Sequence, residues 1–330
     1  MSSDACLAAV GQPQCEDAIR VLPLDVRQRM ACAGEEWSSS LTTILEDLYN
    51  VRPNGTFWKT PIEPDGHRRF DVMPPVVKEA CKLSKFGKGD GAKLLCGLEQ
   101  LPACTVLSIG SRGDINFERH ILNRTKCTVD IFDCTVPRCS PKRRWPTEMR
   151  TGRVRYHSVC IGAHDNTVRS AKIRGDWRQA DGHQSFAFRT YASILAKLRL
   201  GSVAAMKMDI EGFEYGVLNP MLRSRSAALP SQIALEVHWQ TQMTALPWHH
   251  RAKTTGEIAL FARALYDAGY RTLSRVDNWR CPHCSEFNFI RLFCPPAAAS
   301  QQPEAAVDDP PLIWGTSDPA EGCDKAGRRE

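Results

Sequence analysis

The sequence predicts an α/β fold built on a mostly parallel sheet of about seven strands, flanked by helices and closed by an antiparallel hairpin. Three observations carry this expectation. From Leu101 onward, apolar strand candidates alternate with stretches of helical periodicity. A glycine turn at Gly110–Gly113 joins the first of these strands to a helix, and the next strand ends on an acid, Asp133. Finally, only about ten residues separate the last two strands, too few for a crossover helix, so those strands pair as a hairpin.

Taken in order, residues 1–36 have mixed polarity and little periodicity, and read as a loosely ordered lead with at most one short helix. Leu41, Ile44, Leu45 and Leu48 fall on one face after a serine run, predicting a helix over Ser38–Tyr49. Arg52–Pro64 reads as an extended connection. Val76, Val77, Ala80 and Leu83 predict a helix ended by the glycines of FGKGDG. Thr105–Ile109 and Val129–Phe132 are strands, bracketing a helix that carries Ile115, Phe117, Ile121 and Leu122. Val154–Ile161 reads as a strand and Gln184–Leu200 as a helix with Phe188, Tyr191, Ile194, Leu195 and Leu198 at helical spacing. Val203–Met208, a helix through Tyr215 and Leu222, and Ile233–Val237 follow. Thr254 and Glu257 have capping-box spacing ahead of a helix that Gly269 closes. Tyr270–Val276 and Phe287–Phe293 form the hairpin. The Pro-, Ala- and acid-rich residues beyond Phe293 read as disordered. The expected organisation is a lead at 1–67, a main domain at 68–294 and a tail at 295–330.

The composition is globular, with 42% hydrophobic and 24% charged residues and a net charge of +6. No apolar run approaches the ~18 residues that cross a bilayer, and the first residues lack the charged and apolar regions of a signal peptide, so the expectation is a cytoplasmic protein without a membrane span. Of the 14 cysteines, several sit within apolar strands and read as buried thiols. Cys134 with Cys139, or Cys96 with Cys104, are possible bridges. CPHC at Cys281–Cys284, with His283 between and Cys294 nearby, has part of a zinc geometry, but a complete site needs four placed ligands, so a disulfide or plain thiols are expected and no metal.

In an open α/β sheet, ligands sit beyond the carboxyl ends of the strands at the switch in strand order. The candidates are Gly110 to Asp114 in the first turn, Asp133, Gly162 to Asp165, Asp209 to Glu214, and Glu236 to His238. Asp133 is suited to accept hydrogen bonds from ribose hydroxyls. His238, beside Glu236, is a candidate base for an acceptor proton. Residues 138–155 carry seven basic side chains, including Arg138, Lys142, Arg153 and Arg155, against one acid, with Trp145 among them, a pattern open to a nucleic-acid or protein acceptor. A ribose acid also occurs in NAD-dependent oxidoreductases, although Gly-Ser-Arg-Gly is not the glycine spacing of a pyrophosphate site.

Five motifs together carry a family likeness: GDGAKLLC at Gly89–Cys96, SIGS at Ser108–Ser111, DIEG at Asp209–Gly212, EVH at Glu236–His238 and SEFNFI at Ser285–Ile290. Over Arg68–Cys294 the chain resembles the S-adenosylmethionine-dependent methyltransferases of the FkbM type and the related methyltransferase-like proteins. The resemblance implies a Rossmann-like class I methyltransferase fold with S-adenosylmethionine as cofactor. Gly110, Ser111, Gly113 and Asp114 would border its methionine part, Asp133 its ribose, and Ala163 and Asp165 its adenine. Asp209 and Glu211 would face the methionine end and the acceptor, a small-molecule or sugar hydroxyl. Ser108 stands where many such enzymes carry an acid, with Asp114 as a substitute charge. A non-catalytic module of the same fold is the alternative that this departure keeps open.

Overall fold

The structure is a computed structural model and describes residues 12–49, 63–135, 152–169, 185–223, 228–241 and 252–294. Its centre is a seven-stranded sheet in the order β11-β12-β10-β9-β3-β4-β5. The strands are β3 (Thr105–Ile109), β4 (Thr128–Phe132), β5 (Val154–His157), β9 (Ala205–Met208), β10 (Gln232–His238), β11 (Tyr270–Asp277) and β12 (Cys284–Arg291). From β5 to β10 every pairing is parallel, whereas β12 runs antiparallel to both β10 and β11. The chain therefore builds outward from β3 to one side, returns to β9 and builds to the other. That reversal opens a crevice at the carboxyl ends of β3 and β9.

Strands buried on both faces must be apolar almost throughout, and β3, β9 and β10 are. Leu107, Ile109, Met206, Met208, Leu235 and Val237 pack on one face, whereas Val106, Ala205 and Ala234 belong to a second cluster on the other. Helices cover these faces: Asn116–Arg124 returns β3 to β4, Tyr191–Leu198 precedes β9, Glu214–Arg223 returns β9 to β10, and Thr255–Asp267 leads into the hairpin. The last begins with a complete capping box between Thr254 and Glu257, as its spacing predicted.

Several expectations are corrected. The described part of the lead, from residue 12, is not loosely ordered: Glu16–Val21 and Leu24–Tyr49 are helices, the second of 26 residues and reaching well before the expected start at Ser38. Val26, Met30 and Trp37 are buried along it. Met30 joins Ala18 and Leu22 against Leu273, Ile290 and Leu292 of the hairpin region, so these helices cover the sheet's antiparallel end. Val76–Leu83 is not a helix. Prolines at 74 and 75 hold its start extended, and the segment runs into β1 (Leu83–Phe86), paired with β2 (Lys93–Cys96) in a two-stranded ribbon. The predicted helix over Gln184–Leu200 is a strand, β8 (Ser185–Arg189), followed by the helix from Tyr191. Val154–Ile161 divides into β5 and β6 (Cys160–Ile161), and β6, β7 (Asn166–Arg169) and β8 make a separate three-stranded sheet.

The cysteines are not buried thiols. Cys15–Cys294, Cys81–Cys96, Cys104–Cys127, Cys134–Cys160 and Cys281–Cys284 are disulfides, and no described cysteine is free. Neither anticipated bridge forms, because strand pairing brings Cys104 to Cys127 and Cys134 to Cys160 instead. No helix of the described residues is long and apolar enough to cross a membrane. The expected tail and most of the basic stretch lie outside the described residues.

Candidate active site

Gly110 sits at the switch point with φ +77°, and a Cβ placed there would meet the carbonyl oxygen of Asp209 at 1.9 Å. Only glycine lets the ends of β3 and β9 approach so closely. Lys207, buried in β9, reaches across and donates to the Gly110 carbonyl. The turn and the DIEG strand end are thus one unit.

Asp133 lies against this turn and is buried. Its carboxylate accepts from the Arg112 amide at 2.7 Å and from Ser111 Oγ at 3.3 Å on one oxygen, and from the Thr135 amide at 2.9 Å and Thr135 Oγ1 at 2.7 Å on the other. Two of these donors are side-chain hydroxyls, chemically the same donors that a ribose diol offers. The carboxylate is therefore fitted to a nucleoside by exchange of hydroxyl for hydroxyl.

The neighbouring candidates have local partners. Gly113 donates its amide to Ser111 Oγ at 3.1 Å, and exposed Asp114 accepts from the Asn116 amide and side chain at the start of the following helix. Glu118, which the sequence did not single out, is the acid beside Ser108: it is buried, hydrogen-bonded to Ser108 Oγ, and raised by burial above the usual carboxylate range. Asp165 accepts from the Thr190 amide at 2.6 Å and from Ser193 Oγ, anchoring the loop with half-buried Ala163 to the helix at Tyr191.

Beyond the DIEG turn the charges converge. Asp209, Glu236 and Glu286 surround Lys93 Nζ, which lies 3.9 Å from Asp209 and 3.7 Å from Glu236 and is bonded to Glu286. Lys93 comes from β2, held against β10 by Gln232, whose side chain accepts from the Cys96 amide at 2.8 Å and donates to its carbonyl at 2.7 Å. Burial alone would raise the Asp209 carboxyl, but Lys93 and Lys207 outweigh it and Asp209 titrates low. Glu236 goes the other way: burial, then the charges of Asp209 and Glu286, raise it to about 9. The two form a pair in which Asp209 is ionised and Glu236 carries the proton.

His238 is 3% exposed; its Nδ1 lies 3.0 Å from Glu214 and its Nε2 3.7 Å from Glu211. Burial would lower this imidazole, yet Glu214 reverses the shift and raises it to about 10. At neutral pH it is an imidazolium and already holds the proton that a base would have to accept. Glu211 is 60% exposed and stands at φ +57°, a left-handed conformation costly for a side-chain-bearing residue. Burial raises its carboxyl in spite of His238. Arg153 and Arg155, from the basic stretch, are engaged structurally: the first donates to the Leu122, Thr125 and Cys127 carbonyls, the second pairs with Asp130.

Among solved structures, the chain is similar to the 1,6-didemethyltoxoflavin-N1-methyltransferase of Burkholderia thailandensis with bound S-adenosylhomocysteine, at 16% identity over 57% of this chain and 71% of that one, with a TM-score of 0.30. It is also similar to the fibrillarin pre-rRNA processing protein of Methanococcus jannaschii, at 11% identity over 64% and 84% of the two chains, with a TM-score of 0.33. No curated protein matches the sequence. A family described as methyltransferase domain matches residues 76–291, spanning the ribbon, the whole sheet and every residue of the site above, and sets aside the oxidoreductase reading. The chain belongs to this methyltransferase-domain family.

Proposed function

We propose that the chain methylates a hydroxyl oxygen of a small molecule or sugar, in the manner of the FkbM-type enzymes its DIEG motif resembles. The observation that carries this reading is the DIEG turn itself, where Glu211 holds an exposed carboxylate in a left-handed conformation beside the imidazolium of His238. S-adenosylmethionine supplies an already activated methyl group, so alignment and removal of one proton are what the chain contributes. Gly110, Ser111 and Gly113 hold the methionine part, and Asp133 exchanges its Ser111 and Thr135 hydroxyl partners for those of the ribose. Ala163 and Asp165 border the adenine.

On the acceptor side, Glu211 takes the hydroxyl proton, since its carboxylate stands exposed at the turn where solvent and an acceptor can reach it. His238 keeps its proton and steadies Glu211, a revision of the base role expected from the sequence. Asp209 orients the acceptor, and the carboxyls around Lys93 suit a partner rich in hydroxyls. With Arg153 and Arg155 occupied, the basic stretch offers two fewer cations to a nucleic acid. The five bridges between described cysteines support residence in an oxidising compartment in place of the cytoplasm.

Methyl transfer from labelled cofactor to a panel of sugars and hydroxylated metabolites tests the proposal. Transfer to oxygen, lowered about 10²-fold in kcat by Glu211→Gln with S-adenosylhomocysteine affinity kept, supports it. Transfer to nitrogen alone, or a fully active Glu211→Gln, overturns it.

A further inference from the structure

The CPHC segment is the tight turn before β12, with the Cys281 amide donating to Asn278 and the Cys284 amide to Cys281. In the antiparallel register Cys284 stands opposite His238, and Ser285 and Glu286 stand opposite Val237 and Glu236. Glu236 and His238 are two apart on β10 and so project to the same face, towards the turn. As a result one donor atom from each of Glu236, His238, Cys281 and Cys284 lies within 4.8 Å of the other three. Ligands around a tetrahedral zinc ion sit roughly 3.3–3.8 Å apart, given bonds of ~2.0–2.3 Å, so a contraction of about 1 Å would close the set. His238 is also held as metal-bound histidines are: Nδ1 faces the buried carboxylate of Glu214 at 3.0 Å, leaving Nε2 for an ion.

We propose that Cys281, Cys284, His238 and Glu236 form a zinc site in the reduced chain, and that the Cys281–Cys284 disulfide is its oxidised, metal-less form. The two missing ligands of the CPHC motif thus come from the neighbouring strand. Cys294, the ligand its spacing suggests, is bonded to Cys15 at the far end of β12. Two thiolates with an imidazole and a carboxylate select a borderline ion such as Zn²⁺ over Mg²⁺ or Ca²⁺.

Conversion needs a dithiol reductant. Its two thiols reduce the Cys281–Cys284 bond, giving two cysteine thiols and the reductant's own disulfide. Zn²⁺ then replaces the two thiol protons, the Nε2 proton of His238 and the carboxyl proton of Glu236, all released to solvent. This bridge spans a sequence separation of 3, against 15 to 279 for the other four described disulfides, and so gains the least from loop closure. It is the one that a limited dose of dithiol opens first. Because the zinc form takes the Nε2 position, it excludes the imidazolium and the two states of the site are alternatives.

The experiment titrates the full chain, without oxygen, with a dithiol until intact mass rises by two hydrogens, maps the thiols by alkylation and peptide mass, and then adds Zn²⁺ or Co²⁺. The expected result is thiols at Cys281 and Cys284 and one zinc per chain. Cobalt should give a thiolate charge-transfer band and the intense visible bands of a tetrahedral site. Zinc uptake should be lost in Cys281→Ser and in Cys284→Ser. The oxidised chain should bind none. Uptake by the oxidised chain, uptake by the serine variants equal to that of the reduced parent, or a reduced parent whose cobalt spectrum lacks the charge-transfer band each overturns the proposal. The last readout uses the parent chain alone and holds even if a variant does not fold.

Discussion

His238 and Glu214 form an ion pair from which water is excluded on both sides, with Nδ1 3.0 Å from Oε1 and side-chain exposures of 3% and 0%. Glu214 Oε1 also accepts from the Ile210 and Gly212 amides at 3.2 and 3.1 Å, so one carboxylate fixes both the DIEG turn and the imidazole beside it. Removing the imidazole strands a buried charge. His238→Ala should therefore cost on the order of 3–5 kcal/mol in chemical denaturation at pH 7, with most of the loss recovered in the double variant with Glu214→Gln.

The same pair sets a pH dependence. The folded His238 is raised to about 10 from an ordinary value of 6.5. Its stabilisation is therefore complete below pH 6.5 and is lost progressively as pH rises towards 10. A titration of the His238 ring followed by NMR should show it protonated through pH 8. An ordinary titration near 6.5 would refute the pairing.

Lys93 holds three carboxyls together, and its loss should be felt by all of them. Burial lowers a lysine, but Glu286, Asp209 and Glu236 more than compensate and raise this one. Lys93→Met keeps the stem and removes the charge. The expected cost is about 3–5 kcal/mol at pH 7, shrinking as pH falls and the stranded acids take up protons. Denaturation curves at pH 7 and pH 5 measure both parts.

Asp133→Ala should weaken S-adenosylhomocysteine at least tenfold, about 1.4 kcal/mol by calorimetry, with no binding of NAD to parent or variant. Unchanged affinity would remove Asp133 from the cofactor site. Gly110→Ala should be more severe, because the new methyl group would meet the Asp209 carbonyl. A lowered melting temperature together with lost cofactor binding is expected there, since the clash separates β3 from β9.

The sequence made legible what local pattern determines. The hairpin of β11 and β12 followed from the short connection between them, and the Thr254–Glu257 capping box from its spacing. Asp209 and Glu211 were visible because an acid after an apolar run is local too. Misreadings arose where two patterns overlapped: Phe188 fits the helical series that begins at Tyr191, yet its own segment pairs as a strand with Cys160 and Ile161. The Leu24–Tyr49 helix was half seen, because charges and Gly34 interrupt the buried series of Val26, Met30 and Trp37. Lys93 was invisible for a different reason. A lysine in a short apolar run reads as a side chain reaching for water, and only tertiary structure brings around it Asp209 just after β9, Glu236 of β10 and Glu286 of β12. Glu118 and the disulfide pairings depend in the same way on neighbours that sequence distance hides.

The Cys15–Cys294 bridge joins the two ends of the fold, since Gln14 also pairs with Phe293 and the Cys294 amide donates to Pro13. Among the described residues this bridge closes the segment from Cys15 to Cys294 into a covalent ring, so tension applied between those two residues is carried by one covalent bond and not by the hydrogen bonds of the sheet.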